Sequence, residues 1–234
     1  MKKILFILFI LSTFICKSQY FSADRPGVGY DVSVIPENRF QIETGCYFYN
    51  EISYNNSMIR YSFYRNIEFR LSSNYVKSSG IVGFKPFTLG LKVKIFDNKS
   101  LFPAMSFISQ LQLPILAKSE FKTEILPSYY ILLKNKISNK ISIVYNIGIE
   151  THEISFDELY NIKYTLMYSL SVGFDIYNDY GVFIEIYNNY SDNTSFDFGF
   201  TKTIRGRLQF DTSYMYYSKS LNLGFVYLLL FVLC

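Results

Sequence analysis

The residues from Phe87 to Phe96, FTLGLKVKIF, alternate strictly between apolar and polar or small side chains. Phe87, Leu89, Leu91, Val93 and Ile95 fall on one side of an extended chain, and Thr88, Gly90, Lys92 and Lys94 on the other. Helical spacing would scatter both sets around one cylinder. The same period of two recurs along the chain in segments bounded by turn residues. It predicts strands at about 39–49, 57–64, 67–76, 87–96, 101–113, 120–133, 141–151, 162–176, 181–188, 194–204, 207–217 and 221–232. The 162–176 segment is the most regular, with Tyr164, Leu166, Tyr168, Leu170, Val172, Phe174 and Ile176 opposite Lys163, Thr165, Ser169, Ser171, Gly173 and Asp175. No segment carries a helical period.

Such strands suit a soluble sandwich with its apolar face inward, or a membrane barrel with its apolar face outward. The connections separate the two. Those after every second strand are short: Arg65–Asn66, DNKS, NKISNK, YNDY and Arg205–Gly206. The others, such as KSSGIVG and HEISFDELY, are longer. Short turns at one end and longer loops at the other belong to an up-and-down outer-membrane barrel. A Greek-key sandwich has no reason to keep that order. In lipid every backbone polar group must be paired, so a spanning sheet has to close on itself. The predicted fold is therefore all-β, a closed antiparallel up-and-down transmembrane barrel of about twelve strands over 39–234.

The N-terminus agrees with export. Lys2 and Lys3 precede an apolar run from Ile4 to Cys16, followed by polar Lys17 and Ser18, so 1–19 reads as a signal peptide. Ile15 stands where a lipobox requires a small residue, which argues against lipidation at Cys16. Residues 20–38, with Pro26, Gly27, Gly29 and Pro36, read as an extended periplasmic leader. The chain holds 22 Tyr and 23 Phe but no Trp, and only 18% charged residues. After the signal, no apolar run is long enough for a spanning helix. The net charge of +4 is spread without a basic block, which excludes an ordinary nucleic-acid binder. Cys46 and Cys234 alone cannot build a disulfide framework.

With the apolar positions facing lipid, the opposite positions line the lumen: Glu43, Glu68, Arg70, Lys92, Lys94, Glu150, Glu185, Asp197 and Asp211, together with Arg60. Asp24 and Arg25 of the leader are candidates to fold into that lumen as a plug. The signs nearly balance. They suit either an internal salt-bridge network filling a narrow barrel or a conduit whose charged sides select a solute. His152, the single histidine, falls in a predicted external loop beside Glu153, and no period or motif ties it to a nucleophile such as Ser155. No metal cluster, phosphate loop or nucleotide fingerprint appears, so no enzyme and no cofactor is expected.

These segments also resemble a known family. Asp24, Arg25 and Pro26, then VIPENRFQIETG with Gln41, Glu43 and Gly45, resemble the opening of the meta-pathway phenol-degradation family of outer-membrane proteins. GLKVKIFDNKSLFPAMSFISQLQLP is similar to its core, and YNIGIE, the strand with Glu185, FDFGF and RLQFDTSY to its closing strands. The resemblance covers about 24–215. It implies an outer-membrane transporter passing a small, hydrophobic or aromatic solute, inserted by the barrel-assembly machinery. A structural or adhesive barrel with a packed lumen is the other reading. Two departures stand out. LPILAK lacks the glycine that the family carries after its LP pair, and the C-terminus GFVYLLLFVLC ends on Cys234 instead of an aromatic residue.

Overall fold

The computed structural model describes residues 23–24, 27–49, 52–78, 80–98, 102–121, 123–156, 159–177, 179–188, 194–204, 208–217 and 220–233. The signal segment 1–19, Arg25 and Cys234 lie outside the described residues. The strands are β1 (Arg39–Tyr49), β2 (Ile52–Tyr64), β3 (Ile67–Ser78), β4 (Ile81–Phe84), β5 (Phe87–Phe96), β6 (Ala104–Leu113) and β7 (Leu126–Lys136). They continue as β8 (Ile141–Phe156), β9 (Leu159–Tyr177), β10 (Tyr180–Asn188), β11 (Thr194–Ile204), β12 (Leu208–Tyr217) and β13 (Ser220–Leu233). One 3₁₀ turn, Ser119–Phe121, is the helical exception among the described residues.

All the pairings are antiparallel, in the order β2-β1-β13-β12-β11-β10-β9-β8-β7-β6-β5-β3-β4, and β2 is additionally paired to β3. β4 is not a separate stave. Both β4 and β5 lie on β3, where Tyr75 faces Phe84 and Ser72 faces Thr88, so one extra residue bulges at Lys85–Pro86 between them. Pro86 has no N–H for the ladder, which accounts for the break. Together they occupy one position in a twelve-stave sheet.

The stretch KSSGIVG, expected to be a loop, therefore supplies a strand. HEISFDELY does the same, because β8 and β9 run on to pair Phe156 with Leu159. His152 is accordingly a strand residue facing Lys163 across the ladder, not a loop residue. Beyond a membrane edge a hairpin meets water on both faces. It keeps its ladder but loses its apolar face, and with it the signal that marks a strand in the sequence.

The burial pattern is inverted relative to a soluble protein. In β5, Leu89 and Leu91 are 47% and 37% exposed while Lys92 between them and Val93 is fully buried. The same inversion holds elsewhere: Phe69, Ile147, Leu166, Ile184, Phe198 and Phe210 are exposed, and Arg60, Glu68, Glu185 and Asp197 are buried. The buried face packs on the 23–38 segment and is called the inner face below.

That segment also measures the curvature. Asp31 N–H donates to the carbonyl of Asp24 at 2.8 Å. Asp24 in turn meets Glu43 of β1, whereas Asp31 meets Lys134 of β7. Five strand spacings lie between β1 and β7 by the shorter route, about 24 Å in a flat sheet. A single hydrogen-bonded pair with two side chains does not bridge that width. The sheet curls around the segment.

Candidate functional site

The inner face of β1, β2, β3 and β5 holds a cluster of six charges. Arg60 donates from Nε and Nη2 to the two oxygens of Glu68 at 2.8 Å each, and from Nη1 to Glu43 at 2.7 Å. Gln41 adds a bond to Glu43 at 2.8 Å. The leader supplies the third acid. Asp24 accepts from Arg70 and from Lys92, the latter at 2.5 Å, and lies 3.7 Å from Arg60. Three carboxylates thus meet three cations, and all six side chains are buried. Taking charges out of water costs several kcal/mol each unless each one is paired and hydrogen-bonded. Here every charge has an opposite charge beside it only when Asp24 is seated, and Arg70 Nε and Nη1 make no hydrogen bond among the described residues.

The leader lies between the staves and is not itself a spanning strand. Burial alone would push the Asp24 carboxyl up, but Arg70, Lys92 and Arg60 outweigh it and hold it well below the usual carboxylate range. Asp31 follows the same logic: burial opposes ionisation, yet Lys134 and Lys92 hold its carboxyl down at about 2. Its salt bridge to Lys134 measures 2.7 Å.

Beyond Asp24 the segment turns at Gly27–Val28–Gly29. The amides of Val28 and Gly29 donate to the two oxygens of Glu185 on β10, at 2.6 and 2.9 Å. A Cβ on Gly27 would sit 2.2 Å from Glu185 Oε2, and one on Gly29 would sit 2.3 Å from Ser169 Oγ. Only glycine allows the backbone this close. Next, Tyr30 pairs with Asn146 through both backbone groups, at 2.6 and 3.0 Å. Its ring stands edge-on to Tyr130 at 5.1 Å and lies under the Arg70 guanidinium at 4.8 Å. Ser106 donates to the Val32 carbonyl at 2.6 Å, and Ile35 N–H donates to Glu68 at 2.9 Å. The segment is bonded to staves from β1 to β10 and fills the space between them.

The remaining wall differs. On β11 and β12 the inner positions Ser195, Asp197, Gln209, Asp211 and Ser213 are all buried. Asp211 accepts only from the Gln209 amide, at 2.7 and 2.9 Å, among the described residues. Neither oxygen of Asp197 has a hydrogen-bond partner among the described residues. Beside this wall, at the end carrying the shorter turns, lies a cavity of about 370 Å³. It is bounded by Ala23, Asp31 and Ser33 of the leader and by residues of β7 to β12, including Lys134, Phe183 and Gln209.

Of the residues singled out from sequence, Glu43, Glu68, Arg70, Lys92 and Asp24 meet in one cluster. Glu185, Asp197 and Asp211 lie on the opposite wall. Glu150 is half-buried on β8, where it accepts from Tyr130 and lies 3.6 Å from His152. Lys94 sits near the short-turn end in a salt bridge with Asp97. Arg25 falls outside the described residues. Sequence reasoning passed over the tip itself, Gly27–Tyr30, and its receptors Asn146 and Tyr130. The closely spaced glycines of PGVG were the available signal, and they read as mere loop.

Comparison with known proteins places this geometry. A family model described as "Putative MetA-pathway of phenol degradation" matches residues 23–220. Against curated proteins the sequence finds no match. Among solved structures, an outer membrane channel from Pseudomonas putida F1 is similar at a TM-score of 0.62 and 8% identity, covering 87% of this chain and 98% of that one. The KdgM porin is similar at 0.61 and 8% identity, over 82% of this chain and 98% of that one. The NanC porin gives 0.59 at 8% identity over 82% and 98%. At such identities the shared property is the fold.

Proposed function

The chain belongs to the MetA-pathway phenol-degradation family, and on that basis we propose that it is an outer-membrane channel for a small solute. The extra β2–β3 pairing leaves no free edge among the twelve staves, which supports a closed transmembrane barrel with its exposed apolar face in lipid. The leader, as described at 23–24 and 27–38, forms a plug, and Glu43, Glu68, Arg70, Lys92, Lys94, Glu150, Glu185, Asp197 and Asp211 line the lumen around it. The barrel-assembly machinery inserts it, and the family's association with phenol degradation favours a hydrophobic or aromatic solute.

One observation carries this reading. The leader is bonded to staves from β1 to β10, with its charged anchor on β1, β2, β3 and β5, and the cavity of about 370 Å³ lies beside it against β7 to β12. The interior is therefore divided into a packed half and a narrow conduit. Transport through such a conduit is passive or facilitated. Currents in planar bilayers and solute uptake by liposomes test it. Small, discrete conductance steps are expected. Complete absence of both current and uptake in folded, heat-modifiable protein would instead support the second reading, a structural barrel with a filled lumen, which the six-charge cluster favours.

A further inference from the structure

Phe183 sits where the plug and the β10–β12 wall come together. Its side chain is buried on the inner face of β10 and bounds the cavity. On one side its ring covers Gly199 of β11 so closely that a Cβ there would lie 2.6 Å from Cε1 and Cζ. On the other side its edge reaches the plug, where a Cβ on Gly27 would lie 3.1 Å from Cε2. Both neighbours present backbone at these points. The ring fills the gap between them.

The next inner-face position along β10 is Glu185, which grips the plug tip, and its register partner is Asp197. So the cavity lies on one side of the Phe183 ring and buried carboxylates on the other. Glycine at both contacts matters physically. Neither backbone has a side chain that can swing aside, whereas an aromatic ring changes χ1 between staggered wells. Whether a solute passes this point depends on that ring.

We propose that Phe183 is the constriction of the conduit and sets its size limit. This rests on the channel reading above. The ring is a specificity-determining residue: a solute slim enough to pass between Gly27 and Gly199 when the ring turns is admitted, and a bulkier one is held in the cavity. A gap filled by one aromatic ring favours small planar or linear solutes over branched ones.

The test compares Phe183→Ala, Phe183→Trp and the outward-facing control Phe198→Ala in planar bilayers with 1 M KCl. A companion assay follows liposome swelling with neutral sugars of increasing size. Folding of each variant is checked by heat-modifiable migration. The expected result is a conductance at least twofold higher for Phe183→Ala with admission of larger sugars, a lower conductance for Phe183→Trp, and no change for Phe198→Ala. Measurable wild-type conductance that is unchanged in both Phe183 variants overturns the constriction while leaving the channel intact. A rise of the same size in Phe198→Ala also overturns it, since the effect would then come from barrel stability. Absence of current and swelling in every protein overturns the channel reading, and this inference with it.

Discussion

The two walls of the interior solve the problem of buried charge in opposite ways. On β1, β2, β3 and β5, each carboxylate meets a cation within 3.7 Å, and the leader contributes one of the acids. On β11 and β12, Asp211 has a neutral amide and Asp197 has no bonded partner among the described residues. A complete cluster resists rearrangement, because removal of any member strands a charge away from water. An incomplete one is tolerable only where water or a passing ion reaches it. On the channel reading proposed above, the first wall anchors the plug and the second is the side along which a solute moves.

Breaking the anchor should produce the largest effect. Arg60→Ala strips Glu43 and Glu68 of the close cation they share, and it is expected to cost about 3–5 kcal/mol. The readout is the urea midpoint of the heat-modifiable band. On the other wall, Asp197→Asn removes a carboxylate that faces Glu185 across the ladder and has no salt-bridge partner among the described residues, and a gain of up to about 1 kcal/mol is expected. The same variant should lower the preference for potassium over chloride, read from the reversal potential in a salt gradient. A loss of stability comparable to that of Arg60→Ala would erase the distinction between the walls.

A smaller change serves as a reference outside both. Leu116 has φ of 58° in the connection after β6, at the position where the family pattern carries glycine. A left-handed conformation costs an L-residue about 1–2 kcal/mol, and part of this is returned by glycine's greater freedom when unfolded. Leu116→Gly is expected to stabilise by about 0.5–1 kcal/mol in the same urea assay and to leave conductance unchanged.

The smallest effect is that of pH on the plug. Asp31 ionises at about 2 in the folded chain, below the 3.8 of the free side chain. Its contribution is therefore complete above about 4 and is lost as pH falls through 2. Conductance noise from plug movement should be the same at pH 7 and pH 5. A marked rise at pH 5 that Asp31→Asn abolishes would show that Asp31 is not held by Lys134.

Much of this was legible in the chain. Period-two alternation located β1 and β11 closely, because Phe40, Ile42, Cys46 and Phe48 in one and Phe196, Phe198 and Phe200 in the other mark a mostly apolar face. It failed at β4 and at the far ends of β8 and β9, where the sequence alternation fades while backbone pairing continues. Charged interior positions followed from the same alternation, since a barrel inverts the usual meaning of a buried face. Which of them meet did not follow. The contact between Val28–Gly29 and Glu185 joins residues more than 150 apart in sequence. It depends on backbone amides that have no sequence signature beyond the glycines beside them. The isolation of Asp197 was equally hidden, being a matter of what is missing around it.

The division of the interior by a seated plug is tested most directly by single-channel recording of Gly27→Ala/Gly29→Ala beside the wild-type protein. Added methyl groups would sit 2.2 Å from Glu185 Oε2 and 2.3 Å from Ser169 Oγ, so either the tip or the side chains that grip it must shift, and the paired bonds to Glu185 are disturbed in both cases. The wild-type channel should show a small, steady conductance, and the double variant a severalfold larger and noisier one with the barrel still heat-modifiable. Identical, quiet traces from the two proteins would contradict a plug held in the lumen by its glycine tip.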